Sequence, residues 1–111
     1  MAAPTPGCND RAVIRHCVLL RFDDQASADQ RQAVLDGLAT MPAAIAAIDR
    51  YEYGTDVTGA DGNWDLAVTA DFADTAAYLE YAGHEAHVSL ITERIKPILA
   101  DRAAVQFELT G

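Results

Sequence analysis

Residues 13–22, Val-Ile-Arg-His-Cys-Val-Leu-Leu-Arg-Phe, alternate with the period of a β-strand and carry apolar side chains on both sides. Ile14, His16, Val18, Leu20 and Phe22 share one face; Val13, Arg15, Cys17, Leu19 and Arg21 share the other. Such a strand belongs in the middle of a sheet that is covered twice. At 111 residues the chain is one domain, so the question is where two covers come from.

The rest of the chain supplies one of them. Asp23-Asp24 ends the first strand, and Ser27 is a good N-cap for a helix over 28–40 with Ala33, Val34, Leu35, Leu38 and Met41 as its apolar stripe. Pro42 stops or bends that helix, and 43–48 reads as a short apolar turn or helical piece. A second strand spans 50–58, alternating through Tyr51, Tyr53, Thr55 and Val57; the cluster 59–63 is a turn. A third strand, 64–72, alternates through Trp64, Leu66, Val68, Ala70 and Phe72 and pairs with the second as an antiparallel hairpin. Asp74 or Thr75 caps a helix over 75–82, Gly83 interrupts, and a second helical piece runs 85–99 with Ala86, Leu90, Ile91, Ile95 and Ile98 on its apolar side. Pro97 weakens its last turn. A fourth strand closes the chain at 104–109.

This order, β-α-β-β-α-β, predicts an α+β, ferredoxin-like protomer: a four-stranded antiparallel sheet with helices on one face. Residues 1–11, with Pro4, Pro6 and Gly7, read as a flexible N-terminal arm, and 12–111 as the domain. The helices leave the Cys17/Leu19 face bare, and an apolar sheet face is an association surface. Of the residues counted as hydrophobic, 22 are alanines, which bury little area. A second copy meeting the bare face supplies the missing burial, so a homodimer closing an α/β barrel is expected.

Charge excludes other partners. Lys plus Arg number 8 against 17 Asp plus Glu, a net charge of −9. Residues 1–55 carry 5 basic against 7 acidic side chains, and residues 56–111 carry 3 against 10. No basic patch is present for nucleic acid or an anionic membrane surface, and no run of eighteen apolar residues suits a membrane span. Cys8 and Cys17 have neither metal spacing nor a disulfide framework. With no signal peptide legible at the start, a cytoplasmic location is expected.

Three histidines and one tyrosine are the candidates for chemistry. His16 faces the helix-covered side of the first strand, while His84 and His87 open the last helical piece at i, i+3 spacing. Tyr81 precedes His84 by three residues across the Gly83 break, which frees Tyr81 and His87 to converge. Neutral imidazole is a good general base near pH 7, and a phenol can donate to a carbonyl oxygen as charge develops on it. Each residue also has a purely structural use: His84 as a cap, His16 as a hydrogen-bonded core residue, Tyr81 as packing. His-x-x-His alone makes too few ligands for a metal site, and neither a Gly-x-Ser-x-Gly elbow nor a phosphate loop occurs.

The segments IRHCVLLRF, NWDLAVTADFAD, YLEYAGHEAHVSL and DRAAVQFEL resemble the stress-responsive dimeric α/β-barrel (Dabb) family over about 12–109. Where the family usually has Tyr-x-x-His-Pro-x-His, Glu85 stands in place of the proline, in a first helical turn that suits either residue. The resemblance implies a homodimer. It also implies, by likeness to the family's plant enzyme olivetolic acid cyclase, a cofactor-free, metal-free cyclase acting on a small apolar carbonyl-containing substrate. In that reading His87 removes a proton alpha to a carbonyl, Tyr81 holds the carbonyl oxygen, and an aldol step closes a ring. His16 and His84 position the pair, and Val18, Leu20, Leu66, Val68 and Phe72 line the pocket. Leu66 stands where that enzyme has a further histidine, so this pocket is more apolar. The alternatives are a non-catalytic, stress-responsive dimer or small-ligand binder and, by analogy of fold alone, a cofactor-independent oxygenase. An enclosed space of ~300 Å³ or more, reached by both His87 and Tyr81, would favour the enzyme.

Overall fold

The computed structural model describes residues 13–109; the expected arm at 1–11, and Cys8 with it, lie outside them. Ile14–Phe22 form β1, with Ile14, His16, Leu20 and Phe22 buried on one face. β2 spans Ile48–Thr55, β3 Leu66–Phe72 and β4 Leu99–Glu108. All pairings are antiparallel and the sheet order is β2-β3-β1-β4. β1 and β3 are therefore the central strands, which is why they hold most of the buried strand residues. The fold is ferredoxin-like, with its helices packed on the His16 face.

α1 spans Ala28–Ala44. Ser27 accepts from the Gln30 backbone N–H at 3.1 Å, and the Gln30 side chain accepts from the Ser27 N–H at 2.9 Å, a reciprocal capping box. Val34, Leu38 and Met41 are its buried stripe. Gly37 is buried too, because a Cβ there would collide with the Leu90 side chain. Pro42 does not end the helix as expected. It lies inside the last turn and gives up its own bond to the preceding turn, while buried Met41 and Ile45 hold the segment in place on either side.

α2 spans Thr75–Gly83, capped by Asp74, which accepts from the Ala77 N–H at 2.8 Å. The expected helix at 85–99 is three pieces instead. α3 covers only Glu85–Leu90; Ile91–Ile95 widen into a π-turn and Lys96–Ile98 tighten into a 3₁₀ turn. Pro97 is the cause: with no N–H it cannot bond the carbonyl four residues back, and the Lys96 N–H reaches past the usual partner to the Ile91 carbonyl. β4 begins at once, at Leu99, five residues earlier than expected, and pairs with β1 over nearly its whole length.

Among the described residues nothing covers the other face of the sheet. It carries the Arg15–Asp71 ion pair, with two N–O contacts of 2.7 and 2.9 Å. Beside it lie half-buried Cys17 and the exposed side chains of Leu19, Val105 and Phe107, at 38%, 55% and 44% exposure. The registers Arg15–Phe107, Cys17–Val105 and Leu19–Ala103 make these residues neighbours. No helix among the described residues is long and apolar enough to cross a membrane.

Candidate active site

The site forms where α2 stops and α3 starts. His84 is the C-cap of one helix and the N-cap of the other, with extended backbone (φ −66°, ψ 139°). Its N–H donates to the Tyr81 carbonyl at 3.1 Å, and its Nδ1 accepts from the Ala86 N–H at 3.0 Å. The chain turns sharply there, so Tyr81 and His87 pack closely as a tilted pair: ring centroids 4.2 Å apart, planes at 37°.

Tyr81 is buried in an aromatic cluster. Its ring lies 5.0 Å from Phe72, 5.8 Å from His16 and 6.5 Å from Tyr78. Burial pushes its hydroxyl above the ordinary tyrosine value, so the group is a proton-bearing donor at neutral pH. His87 Nδ1 lies 3.1 Å from the Ala82 carbonyl oxygen. A carbonyl only accepts, so Nδ1 carries the proton and Nε2 of the neutral ring is a free acceptor. Burial lowers the His87 pKa below 6.5, assisted by the positive charge of Arg102 and opposed by the bond to Ala82.

His16 is buried, and its Nδ1 bonds Oε1 of Gln106 at 2.6 Å. Burial likewise lowers its pKa, so the ring is neutral. Tyr51 belongs to the same register row as His16, through Ala70. Its hydroxyl is buried with no hydrogen-bond partner among the described residues; it lies near the Tyr81 hydroxyl and influences it, without hydrogen-bond geometry between the two. Burial raises the Tyr51 pKa strongly, so this group also stays protonated.

Tyr81 and His87 border an apolar hollow of about 110 Å³ between the sheet and the α3 segment. Val18, Leu20 and Val68 line it from the central strands, Leu99 from the start of β4, Leu38 from α1, and Ile91 and Ile95 from the turn after α3. Of the side chains expected to line it, Leu66 and Phe72 do not: both are fully buried in the core. His84 is spent on capping, and His16 stands behind the Tyr81 ring. The space also falls short of the ~300 Å³ expected of a pocket for a drug-sized ligand. The larger hollows found among the described residues are more open, and no histidine lines them.

Sequence reasoning missed Lys96, Arg102 and Gln106. Lys96 lies in the 3₁₀ turn that replaces the expected end of the helix, and Arg102 and Gln106 lie in β4. With the strand starting at Leu99, alternation places Arg102, Ala104 and Gln106 on the helix-covered face, opposite Leu20, Val18 and His16. Among the described residues no three His, Cys, Asp or Glu side chains gather as metal ligands would.

Comparison with known proteins agrees with this architecture. A family model described as stress responsive A/B barrel domain matches residues 14–109. The chain is similar to a dimeric ferredoxin-like protein of unknown function from Thermobifida fusca: 40% identity, 88% of this chain and 92% of that one covered, TM-score 0.81. A Dabb family protein from Mesorhizobium loti shares the fold at 21% identity, with 90% and 99% covered and TM-score 0.75. So does a hydroxynitrile lyase from Passiflora edulis at 15% identity, with 90% and 95% covered and TM-score 0.79. No curated protein matches the chain.

Proposed function

The chain belongs to the stress responsive A/B barrel domain (Dabb) family, and from that premise we propose that it is a cofactor-free enzyme abstracting a proton alpha to a carbonyl. The observation that carries this reading is the Tyr81–His87 pair at the edge of an apolar hollow, with the imidazole neutral and the phenol protonated. His87 Nε2 takes the α-proton. Tyr81 donates to the carbonyl oxygen as it becomes an enolate oxygen, in a hollow whose lining is mostly apolar. The enolate carbon then attacks a second carbonyl of the same molecule, and the resulting alkoxide recovers the proton from the His87 imidazolium. This is an aldol ring closure of the polyketide-cyclase type, in which no atom is gained or lost. The small hollow favours a short acyl chain over a long polyketide.

His16 would hold the Tyr81 ring by packing against it, and His84 would act through the backbone it caps. Sheet-to-sheet association across the Leu19, Val105 and Phe107 face would give the homodimer; the relative from Thermobifida fusca is dimeric.

The test is α-proton exchange of short 1,3-dicarbonyl compounds in D₂O, followed by NMR. Exchange catalysed by the protein and lost in His87→Ala supports the reading; exchange no faster than in buffer removes it. Two observations favour a second reading, a non-catalytic ligand-binding dimer: the hollow is small and His84 is committed to capping. That reading expects binding of short apolar compounds without exchange.

A further inference from the structure

Two cations stand at the apolar hollow, and nothing in the fold accounts for them. Residues 56–111 hold only three basic side chains, Arg94, Lys96 and Arg102, against ten acidic ones. Arg94 is spent on the Ala33 carbonyl, at 2.8 Å. Lys96 and Arg102 both line the hollow that Tyr81 and His87 border. Neither makes an ion pair among the described residues, whereas Arg15, Arg31 and Arg50 each do. Among the described residues no acidic side chain borders the hollow. In a domain of net charge −9, an acidic partner for either would be easy to supply.

Their placement is built into the backbone. Arg102 opposes Leu20 in the β1–β4 register, so it projects on the helix-covered face rather than the bare one. Lys96 begins the 3₁₀ turn directly after the π-turn, where the loss of helical pairing at Pro97 sets the local geometry. Arg102 lines the same hollow as Tyr81 and His87, so its charge and the reacting pair share one cavity.

Building on the proposed function, we infer that Lys96 and Arg102 form an oxyanion-binding mouth. The ligand would be a short apolar acyl chain with an anionic end group, its body in the hollow and its charge on the two cations. A guanidinium fork matches the two oxygens of a carboxylate, and an ammonium adds a point charge. About 110 Å³ is the space of roughly four water molecules, enough for a short alkyl chain. A carboxylate and a phosphate monoester share this chemistry, and the two are separable by experiment.

The experiment measures binding to the full chain by calorimetry, using hexanoate, hexanamide and hexyl phosphate at pH 7. Hexanoate is expected to bind about tenfold more tightly than hexanamide. The preference should shrink in Arg102→Gln and vanish in the Lys96→Gln/Arg102→Gln double variant, while hexanamide affinity stays unchanged. Both side chains are exposed and make no ion pair among the described residues, so the variants should keep their circular dichroism. Hexyl phosphate binding more tightly than hexanoate would assign the mouth to a phosphorylated chain. Equal affinity for acid and amide, no binding of either anion at millimolar concentration, or a preference that survives in the double variant overturns the inference. None of these readouts involves turnover, so the mouth can fail while His87-dependent proton exchange stands, and the reverse.

Discussion

The rings of Tyr81 and His87 lie 4.2 Å apart although their residues belong to different helices. A continuous helix would place positions six apart on different faces, about 600° of rotation on. The break at His84 replaces that rotation with a turn, and the phenol and imidazole come to share one hollow.

Removing either member of the pair should abolish α-proton exchange while leaving the fold intact. His87→Ala is expected to slow exchange by ~10²–10⁴, the usual contribution of a positioned base. Tyr81→Phe keeps the packing against Phe72 and should cost ~10²–10³, as loss of one oxyanion donor does. Rates within twofold of the parent in both variants would exclude the pair from the chemistry.

The pH dependence has a definite sign. His87 must be neutral to act, and its folded pKa lies below 6.5 because burial disfavours the imidazolium. Exchange should be level from about pH 7 upward and fall as pH drops through that lowered value. Stability follows the same direction. Between the lowered values of His16 and His87 and about 6.5, the unfolded chain binds more protons than the folded one, so stability rises with pH across that window. Urea midpoints at pH 5 and 7.5 check it; a midpoint that rises on acidification contradicts it.

His84 should be a matter of stability. It accepts from the Ala86 N–H as the N-cap of α3, so His84→Ala should lower stability by about 1 kcal/mol, and His84→Asn should restore most of it. If His84→Ala instead left the unfolding midpoint unchanged, the capping bond would carry no weight.

Gln106 holds His16 at 2.6 Å. Gln106→Leu leaves a buried imidazole donor without a partner and should cost about 1–3 kcal/mol in denaturant unfolding. The double variant His16→Leu/Gln106→Leu should recover part of the loss, because it removes both polar groups together. Additive losses would show that the two do not act as a pair.

The bare sheet face should associate. Sedimentation at micromolar concentration is expected to give twice the protomer mass for the parent chain. Val105→Asp, in the middle of the exposed apolar patch, should give the single mass. A monomeric parent would remove the need for a partner over Leu19, Val105 and Phe107.

Period-two alternation in 14–22 and 66–72 made the central strands legible, because both lie between neighbours and must bury one face fully. The Ser27 capping box and the Asp74 cap were readable from residue type alone. The Tyr81, His84 and His87 cluster stood out because Gly83 breaks an apolar periodicity that otherwise runs on. The far end was not legible in the same way. Ile91, Ile95 and Ile98 keep helical spacing, and that pattern says nothing of how Pro97 reroutes the hydrogen bonds among them. Once the helix was read through to 99, Arg102 fell in a connection and Gln106 lost its relation to His16. Pro42 shows the converse: a breaker by type, it is tolerated because buried neighbours hold the turn. Pocket volume depends on side chains from eight elements at once and has no signature along the chain.

The double role of His84, ending one helix and beginning the next, makes the spacing of the reactive rings a matter of counting peptides. The apolar side chains lining the hollow can be exchanged one at a time with only local effect. A residue inserted after His84 would swing the imidazole about 100° around the α3 axis, away from the phenol and out of the cavity. Length, more than composition, is what that short stretch of backbone has to keep.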